Sequence, residues 1–241
     1  STALYEASQA IANTPELKDA LQIAVNRMAE YVGTAQCQVV LFDETSGYGQ
    51  IEAEYRPTPG IENLRIPTAG NPIYEMMRDT GRVIVIEDVH SHPLTAAAGE
   101  RWEQLGIKSR LLIPLMVKGR LVGSISLEAM ETQRSFTKSE IDFCRTLADR
   151  VALALENSRL FTQTQSALQE TRMLYQASRD LTQARDLQGV LHAIVDNLPI
   201  ERIDQGLIFL TDSKADSDIH SVEIQAVWDH VAAHRLRGPQ P

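Results

Sequence analysis

Apolar residues recur at helical spacing in two segments at the start of the chain. Leu4, Ala7 and Ile11 form the first stripe, and a second stripe follows the pair Thr14-Pro15. A Thr-Pro pair suits a helix start, with the threonine as N-cap and the proline in the first turn. We therefore predict a second helix after Thr14, with a buried face formed by Leu17, Leu21, Val25, Met28 and Val32.

Short apolar runs between turn residues predict strands and one further helix. The runs "CQVVLFDE" and "IEAEYR" flank "TSGYGQ", whose residues favour a turn. Asn71 is placed to cap a helix that has Pro72 as its first residue and ends near Gly81. A third strand, "RVIVIEDV", comes next, and a polar loop with a short helix around Trp102 follows it.

The most strongly patterned stretch is "LGIKSRLLIPLMVKGRLVGSISLE", which begins at Leu105. Its two apolar runs flank Lys118-Gly119, a pair that favours the positive φ angles of a tight hairpin turn. Pro114 cannot donate a hydrogen bond to a neighbouring strand, so it predicts a sheet edge or a bulge at that point. The stretch is therefore expected to form a β-hairpin.

A long helix follows with a well-defined start. Thr137 and Glu140 have the spacing of a capping box, and Phe136 and Ile141 have that of a hydrophobic staple. No strong helix breaker occurs from Thr137 to Arg185, so we predict one continuous helix.

A polar-interrupted heptad pattern runs along this helix and favours a linker in a parallel dimer beyond about Asn157. The alternative is a helix that packs only on its own domain. The residues predicted to form the dimer and signalling face are Leu147, Ala154, Phe161, Leu168 and Tyr175.

The chain contains an internal repeat. "LYEASQAIANTPELKDALQIAV", from Leu4, is matched by "LYQASRDLTQARDLQGVLHAIV", from Leu174, and two later strand-like runs also recur in order. A period near 170 residues is too long for a solenoid, and it indicates two copies of one domain. We predict a complete domain over 1–160, a coiled-coil-like linker over 161–173, and an incomplete second copy over 174–241.

Composition excludes several classes of protein. The net charge of −9 argues against a nucleic-acid partner. No apolar run approaches the roughly 20 residues that span a bilayer, so this segment is expected to make no membrane contact, although a longer parent could be tethered elsewhere. Cys37 and Cys144 are too few and too isolated for a disulfide scaffold or a thiolate zinc site. A reducing, cytoplasmic location is the simplest interpretation.

The order of these elements, together with "LGIKSRLLIPL", "GRLVGSISL", "FTKSE" and "ALALENSRL", closely resembles a GAF domain of bacterial multi-sensor histidine kinases and related signalling proteins. The resemblance covers about residues 1 to 160. It implies an α+β fold: a central antiparallel sheet with helices on both faces and a long C-terminal signalling helix. It also implies a small-molecule pocket opposite the first and last helices, roofed by the segment from about Arg65 to Trp102.

Pocket residues follow from that layout. Ser109, Leu111, Ile113 and Ser126 are assigned to the pocket floor, with the caution that the face could slip by one residue at Pro114. The helix that begins at Asn71 could offer free N–H groups to an anion, as in a cyclic-nucleotide site, although helices need N-caps whether or not a ligand binds. The remaining pocket candidates are Arg65, Asn71, Ile73, Met77 and Trp102.

Catalytic chemistry is not expected. Both cysteines are interpreted as core thiols, and we assign no catalytic residue. No cysteine lies between Val83 and Ser109, which argues against a covalent bilin. His90 and His92 have no further ligand at metal spacing, so no metal site is assigned, while haem or a nucleotide stays open as a cofactor.

The sequence thus favours a non-catalytic sensory module. It would bind a small ligand, form a homodimer through its N- and C-terminal helices, and relay a signal through the long helix to an effector domain outside this chain. The alternatives are a ligand-free GAF-like homodimerisation scaffold and a cyclic-nucleotide- or haem-binding sensor.

Overall fold

The computed structural model describes residues 2–57, 64–95, 99–197, 205–212 and 221–229. The chain divides into two compact units between Leu160 and Phe161. The predicted boundaries of the linker and of the second copy stay predictions. The elements of the first unit are α1 (Thr2–Ala12), α2 (Leu17–Val32), β1 (Gln36–Asp43), β2 (Tyr48–Tyr55), β3 (Ile66–Pro67), α3 (Pro72–Thr80), β4 (Ile84–Ile86), α4 (Gly99–Leu105), β5 (Ser109–Val117), β6 (Arg120–Ala129) and the start of α5 (Lys138–Gln183).

Six strands of the first unit form one sheet in the order β3-β2-β1-β6-β5-β4. Every neighbouring pair is antiparallel. The predicted α+β fold is confirmed, with β3 as an addition that the sequence pattern did not reveal. β3 has only two residues, Ile66 and Pro67, and a run that short carries no periodicity.

One face of the sheet packs against α1, α2 and α5. Val25 and Met28 of α2 and Leu147 and Val151 of α5 are fully buried there, together with the inward residues of the strands. The predicted buried stripes of the first two helices are thus in place. Because these side chains remove much apolar surface from water, this cluster is the main core of the unit.

The other face of the sheet carries a smaller core beneath α3 and α4. Ile73 and Met77 of α3 pack there with Ile86 of β4 and Leu112 of β5. The candidate site lies on this face of the sheet, beside α3 and α4.

The predicted starts of α3 and α5 are confirmed. Asn71 Oδ1 accepts hydrogen bonds from the N–H groups of Ile73 and Tyr74 at 3.1 and 3.3 Å. In the capping box, the Thr137 N–H donates to Glu140 Oε2 at 2.7 Å and the Glu140 N–H donates to Thr137 Oγ1 at 3.3 Å. Each pair satisfies N–H groups that a helix start would otherwise leave unpaired.

The predicted N-cap role of Thr14 is wrong. The Thr14 hydroxyl donates to the carbonyl of Ala10 at 2.6 Å, so it closes the end of α1. The residue before α2 is Glu16, and its side chain makes no capping hydrogen bond. A hydroxyl between two helices can donate to a carbonyl of the first helix or accept from an N–H of the second, and here the bond to the first helix forms.

The β5–β6 hairpin turns as predicted, at Lys118 and Gly119, which have φ angles of 50° and 79°. Pro114 lies beyond the last β5 residue that β4 pairs with, Leu112, so the prediction of a sheet edge is confirmed. The irregularity in the ladder falls later, between Leu115 and Met116.

The second unit contains α6 (Leu187–Asn197), β7 (Gln205–Asp212) and β8 (Ser221–Asp229). β7 and β8 pair in an antiparallel ladder with a register shift between Ile208 and Phe209. When the two sequence copies are aligned, this shift falls at the same place as the one between Val39 and Val40 in β1. The shared irregularity supports the interpretation of α6, β7 and β8 as a second copy of α2, β1 and β2.

Candidate functional site

A cavity of about 320 Å³ lies between the sheet and the α3–α4 side of the first unit. Its volume is at the lower end of the range for small-molecule pockets. Apolar side chains from α3, α4 and β5 form the wall, among them Met77, Leu105 and Leu112. The cavity is therefore a ligand-sized space with an apolar wall.

The floor of the cavity is polar. Ser124, Ser126 and Glu128 occupy alternate positions of β6, so their side chains share one face of the sheet. On the neighbouring strand β1, Gln38 is paired with Ser126 and Gln36 with Glu128, which extends the polar surface sideways. These five residues line the cavity, and we call them the polar floor.

A buried ion pair closes one end of the polar floor. Arg110 of β5 is paired with Glu128 across the ladder, and its Nη2 and Nε lie 2.9 and 3.1 Å from Glu128 Oε1. Arg110 is only 8% exposed and Glu128 only 3%. The guanidinium also lies 4.6 Å from the centre of the Trp102 ring, whose Nε1 donates to the carbonyl of Thr95 at 3.1 Å.

Five of the nine predicted pocket residues line the cavity, and Arg65 does not. Arg65 is exposed, with its guanidinium 5.8 Å from the centre of the Tyr48 ring. Its side chain therefore lies against Tyr48 of β2 and outside the cavity lining. The five predicted residues that do line the cavity are Asn71, Ile73, Met77, Trp102 and Ser126.

The predicted face of β5 is wrong by one residue. Leu111 and Ile113 are buried in the main core, on the side of α2 and α5. The residues of β5 that line the cavity are Arg110 and Leu112. Because the run from Leu111 to Ile113 is apolar on both faces, it has no alternation from which the phase could be read. The charge of Arg110 within this apolar strand was the signal that could have set the phase.

Ser109 is also not a cavity residue, because its hydroxyl is already used. Its Oγ donates to the carbonyl of Glu87 at 2.6 Å and accepts from the N–H of Arg134 at 2.9 Å. It therefore joins the end of β4 to the segment that leads into α5.

The start of α3 faces the cavity but offers no free N–H group to an anion. Asn71 Oδ1 takes the N–H groups of Ile73 and Tyr74, Pro72 has none, and the Glu75 N–H donates to the carbonyl of Asn71 at 3.0 Å. Within residues 72–75 every backbone donor is thus accounted for. The expectation of a phosphate site at this helix start is not supported by its geometry.

Both cysteines lie in the main core. Burial raises the pKa of the Cys37 thiol well above its usual value, and the nearby Cys144 and Glu128 raise it further. Burial, with a smaller contribution from Glu140, raises the pKa of Cys144 to about 12. At neutral pH both groups are therefore thiols, which are poor nucleophiles.

At the histidine pair, the imidazole of His92 and the backbone N–H of His90 make local hydrogen bonds. His92 Nδ1 accepts a hydrogen bond from the N–H of Leu94 at 3.2 Å, and the N–H of His90 donates to Asp88 Oδ1 at 3.0 Å. These bonds shape the loop after β4.

The predicted signalling face of α5 divides into a buried and an exposed part. Leu147 is fully buried in the main core, so it is a core residue and its assignment to a dimer face is wrong. Phe161, Leu168 and Tyr175 are 66%, 45% and 70% exposed, and Ala154 is half-buried. An adjacent row of exposed leucines widens the stripe: Leu153, Leu160, Leu174 and Leu181. In the described part of the chain, no helix has the length and apolarity needed to span a bilayer.

Arg134 ties the start of α5 to the rest of the unit. Its Nη1 donates to the carbonyl of Val32, at the end of α2, and its Nη2 to Glu140 Oε1, each at 2.7 Å. A second tie joins the β5–β6 turn to α5, since Lys118 Nζ lies 2.6 Å from Glu156 Oε1.

Comparison with known proteins identifies the family of the first unit. A profile of the GAF domain matches residues 16–155, more than half of the 241 residues. The circadian input-output histidine kinase CikA of Thermosynechococcus vestitus is 26% identical over 199 residues, which cover 75% of this chain. The chain spans about a quarter of that kinase, 26% of its length.

Two solved structures share the fold. The GAF domain of a phosphoenolpyruvate-protein phosphotransferase from Coxiella burnetii gives a TM-score of 0.59 at 23% identity, over 67% of this chain and 95% of that one. A bacteriophytochrome of R. palustris gives 0.64 at 16% identity, over 81% of this chain and 46% of that one. At these identities the structures show the fold alone. The profile match over residues 16–155 shows that this chain belongs to the GAF domain family.

Proposed function

We propose that this chain is a non-catalytic sensory module of a longer signalling protein. A small ligand would occupy the cavity, and α5 would carry the resulting change to an effector region. The observation that carries the proposal is the position of the cavity, which lies on the opposite face of the same strands that pack against α5. The kinship with a histidine kinase supports this role.

The strands provide a direct mechanical connection. In β6, Ser124 and Ser126 line the cavity, whereas the intervening Ile125 and the following Leu127 are buried in the main core with Leu147 of α5. A ligand that shifts β6 must therefore shift side chains that pack against α5, because a close-packed core transmits small displacements. The ligand would favour one of two packing arrangements of α5.

The exposed stripe of α5 supports a second component of the proposal, a parallel homodimer in the cytoplasm. Phe161, Leu168 and Tyr175 recur at seven-residue intervals and are exposed in the single chain. An apolar row with this spacing is typical of a coiled-coil seam. A ligand-free dimerisation scaffold would use the same stripe, so the stripe alone does not distinguish the two functions.

A chimera tests the relay. α5 is fused, in helical phase, to the catalytic region of a histidine kinase, and autophosphorylation is measured. Insertion of seven helical residues after Leu168 should preserve the output, because it keeps the phase of the stripe. Insertion of three residues should change the output. Replacement of residues 161–173 by a Gly/Ser linker should bring the output to that of the isolated catalytic region, because the helix is then interrupted. Equal output from all four chimeras, the unmodified one included, would contradict the relay.

Oligomeric state tests the dimer. Phe161→Glu and Leu168→Glu should shift the chain towards the monomer in sedimentation velocity, since a charge in an apolar seam is costly. Glu170→Gln, on the same helix, is the control. An unchanged dimer fraction in the Glu variants would contradict a dimer through this stripe.

A further inference from the structure

We infer that the cavity takes a compact, uncharged molecule that presents a hydrogen-bond donor beside an acceptor, the pattern of a cyclic amide. Its polar edge would lie on Ser126 and Glu128, and its ring would lie against the apolar wall. This inference rests on the proposed sensory function and specifies the ligand class of the same site.

The first observation is an unsatisfied hydroxyl. Ser126 is 3% exposed, and its Oγ is buried without a hydrogen-bond partner although the residue lines the cavity. Buried hydroxyls almost always have a partner, because the missing bond is costly. Ser126 lies between Gln38 on β1 and Leu112 on β5 in its cross-strand row, so the cavity is the direction from which a partner can come.

The second observation is the geometry of the Glu128 carboxylate. Both hydrogen bonds that Arg110 donates go to Oε1, so Arg110 does not occupy Oε2. Glu128 follows Ser126 on the same face of β6. A carboxylate accepts and does not donate, whereas a hydroxyl does both. An N–H beside a C=O matches this pair, with the N–H on Glu128 and the C=O on Ser126.

The charge of the cavity favours a neutral ligand. Among the described residues that line it, Arg110 and Glu128 are the only charged ones, and they neutralise each other. The start of α3 adds no free N–H group, as shown above. A phosphate, a carboxylate or an ammonium group would therefore lose its hydration without gaining a counter-charge, which is strongly unfavourable.

The volume and the wall define the rest of the molecule. A cavity of about 320 Å³ suits a molecule of one or two rings. Phe42, Ile73, Met77 and Leu112 offer the ring an apolar surface with no charged group. One polar edge and one apolar body are therefore what the cavity complements.

Four quinoline probes separate the chemical classes on the intact chain. 2-Quinolone is the neutral cyclic amide, and N-methyl-2-quinolone has nearly the same shape without the donor. Quinoline-2-carboxylate is the anion and 4-aminoquinoline the cation. Dissociation constants are measured by ligand-observed NMR. We expect 2-quinolone to bind and its N-methyl derivative to bind at least about tenfold more weakly, because a bond to a charged group is lost.

Two variants locate the polar edge. Ser126→Ala should weaken 2-quinolone binding about fivefold, in line with one lost neutral hydrogen bond. Thr34→Val is the matched control, since Thr34 Oγ1 is also buried and without a partner but lies outside the cavity lining. The control should leave binding unchanged, and both variants should remain folded because neither hydroxyl has a hydrogen bond to lose.

The outcomes are decisive. Tighter binding of the carboxylate or the amine, equal binding of the N-methyl compound, or no binding of any probe would overturn the assignment of ligand class. An unchanged affinity in Ser126→Ala would overturn the placement of the polar edge. None of these results alters the insertion experiment on α5, which tests the proposed function without any ligand.

Discussion

The Arg110–Glu128 pair allows a sharp test of how the polar floor is held together. Replacing Arg110 by Met leaves the Glu128 carboxylate 3% exposed and without its partner. Removing one member of a buried ion pair costs about 3–5 kcal/mol, because the remaining charge stays desolvated. Such a loss is a large part of the about 5–15 kcal/mol that stabilises a typical domain.

The double variant separates the pair from its members. Arg110→Met with Glu128→Leu removes both charges and fills the space with apolar side chains. Replacement of a whole buried pair in this way is often neutral or stabilising. Methionine can also keep a favourable contact with the Trp102 ring. We therefore expect the double variant to be more stable than Arg110→Met alone.

Urea unfolding followed by tryptophan fluorescence measures these effects. The chain has two tryptophans, so a Trp228→Phe background leaves Trp102 as the reporter of the first unit. Arg27→Met is the control, because the Arg27–Glu30 pair is 56% and 55% exposed and should contribute about 0–1 kcal/mol. The reasoning is refuted if Arg110→Met costs no more than Arg27→Met, or if the double variant is the least stable.

The local geometry of three residues, Glu140, Gly123 and Cys144, leads to three further predictions. Partial burial raises the pKa of Glu140, but hydrogen bonds, the strongest from the Thr137 N–H, outweigh burial and lower the pKa below its ordinary 4.5. The stability that Glu140 contributes is therefore complete above pH 4.5 and is lost as the pH falls through the pKa of the folded state. Glu140→Gln should flatten that part of a curve of urea midpoint against pH. Gly123→Ala should lower the free energy of unfolding in urea by about 1–3 kcal/mol, because the new Cβ would lie 2.6 Å from the Val40 carbonyl oxygen. An unchanged free energy of unfolding would show that the strands can separate there. Cys144, with a pKa of about 12, should resist iodoacetamide at pH 8 until urea unfolds the chain, and rapid labelling of the native protein in a mass spectrum would contradict its core position.

The start of a helix was predictable where the capping residue lies next to only one helix. Asn71 before Pro72 has a single helix to cap, and Thr137 with Glu140 forms a reciprocal pair, so both starts formed as expected. Thr14 lies between two helices, and its hydroxyl could either cap the start of α2 or donate to a carbonyl of α1. Sequence spacing alone does not decide between two local hydrogen bonds of similar strength.

The site was only partly predictable, for a related reason. A strand that is buried on both faces carries no alternation, so the side on which Leu111 lies could not be read from β5. Arg110 and Glu128 lie far apart in sequence, and only the β5–β6 ladder brings them opposite each other. The register of the β5–β6 ladder therefore determines that these two residues form an ion pair at the end of the polar floor.

The burial of Leu147 shows a limit of heptad reasoning. A helix that first packs on its own domain and then continues beyond it keeps the same apolar spacing in both parts. Leu147 belongs to the main core, whereas Phe161, Leu168 and Tyr175 are exposed. The spacing predicts an apolar face on the helix. It does not show where the domain ends, and that point determines where the face passes from the core to the exposed surface.

Hydrogen–deuterium exchange of the whole chain tests the central claim, that occupation of the cavity changes α5. Exchange is compared for the free chain and for the chain saturated with the tightest-binding of the four quinoline probes. We predict altered exchange both in the cavity-lining segments and in α5 amides from about Arg145 through Leu168. A change confined to the cavity-lining segments, with identical exchange throughout α5, would contradict the relay.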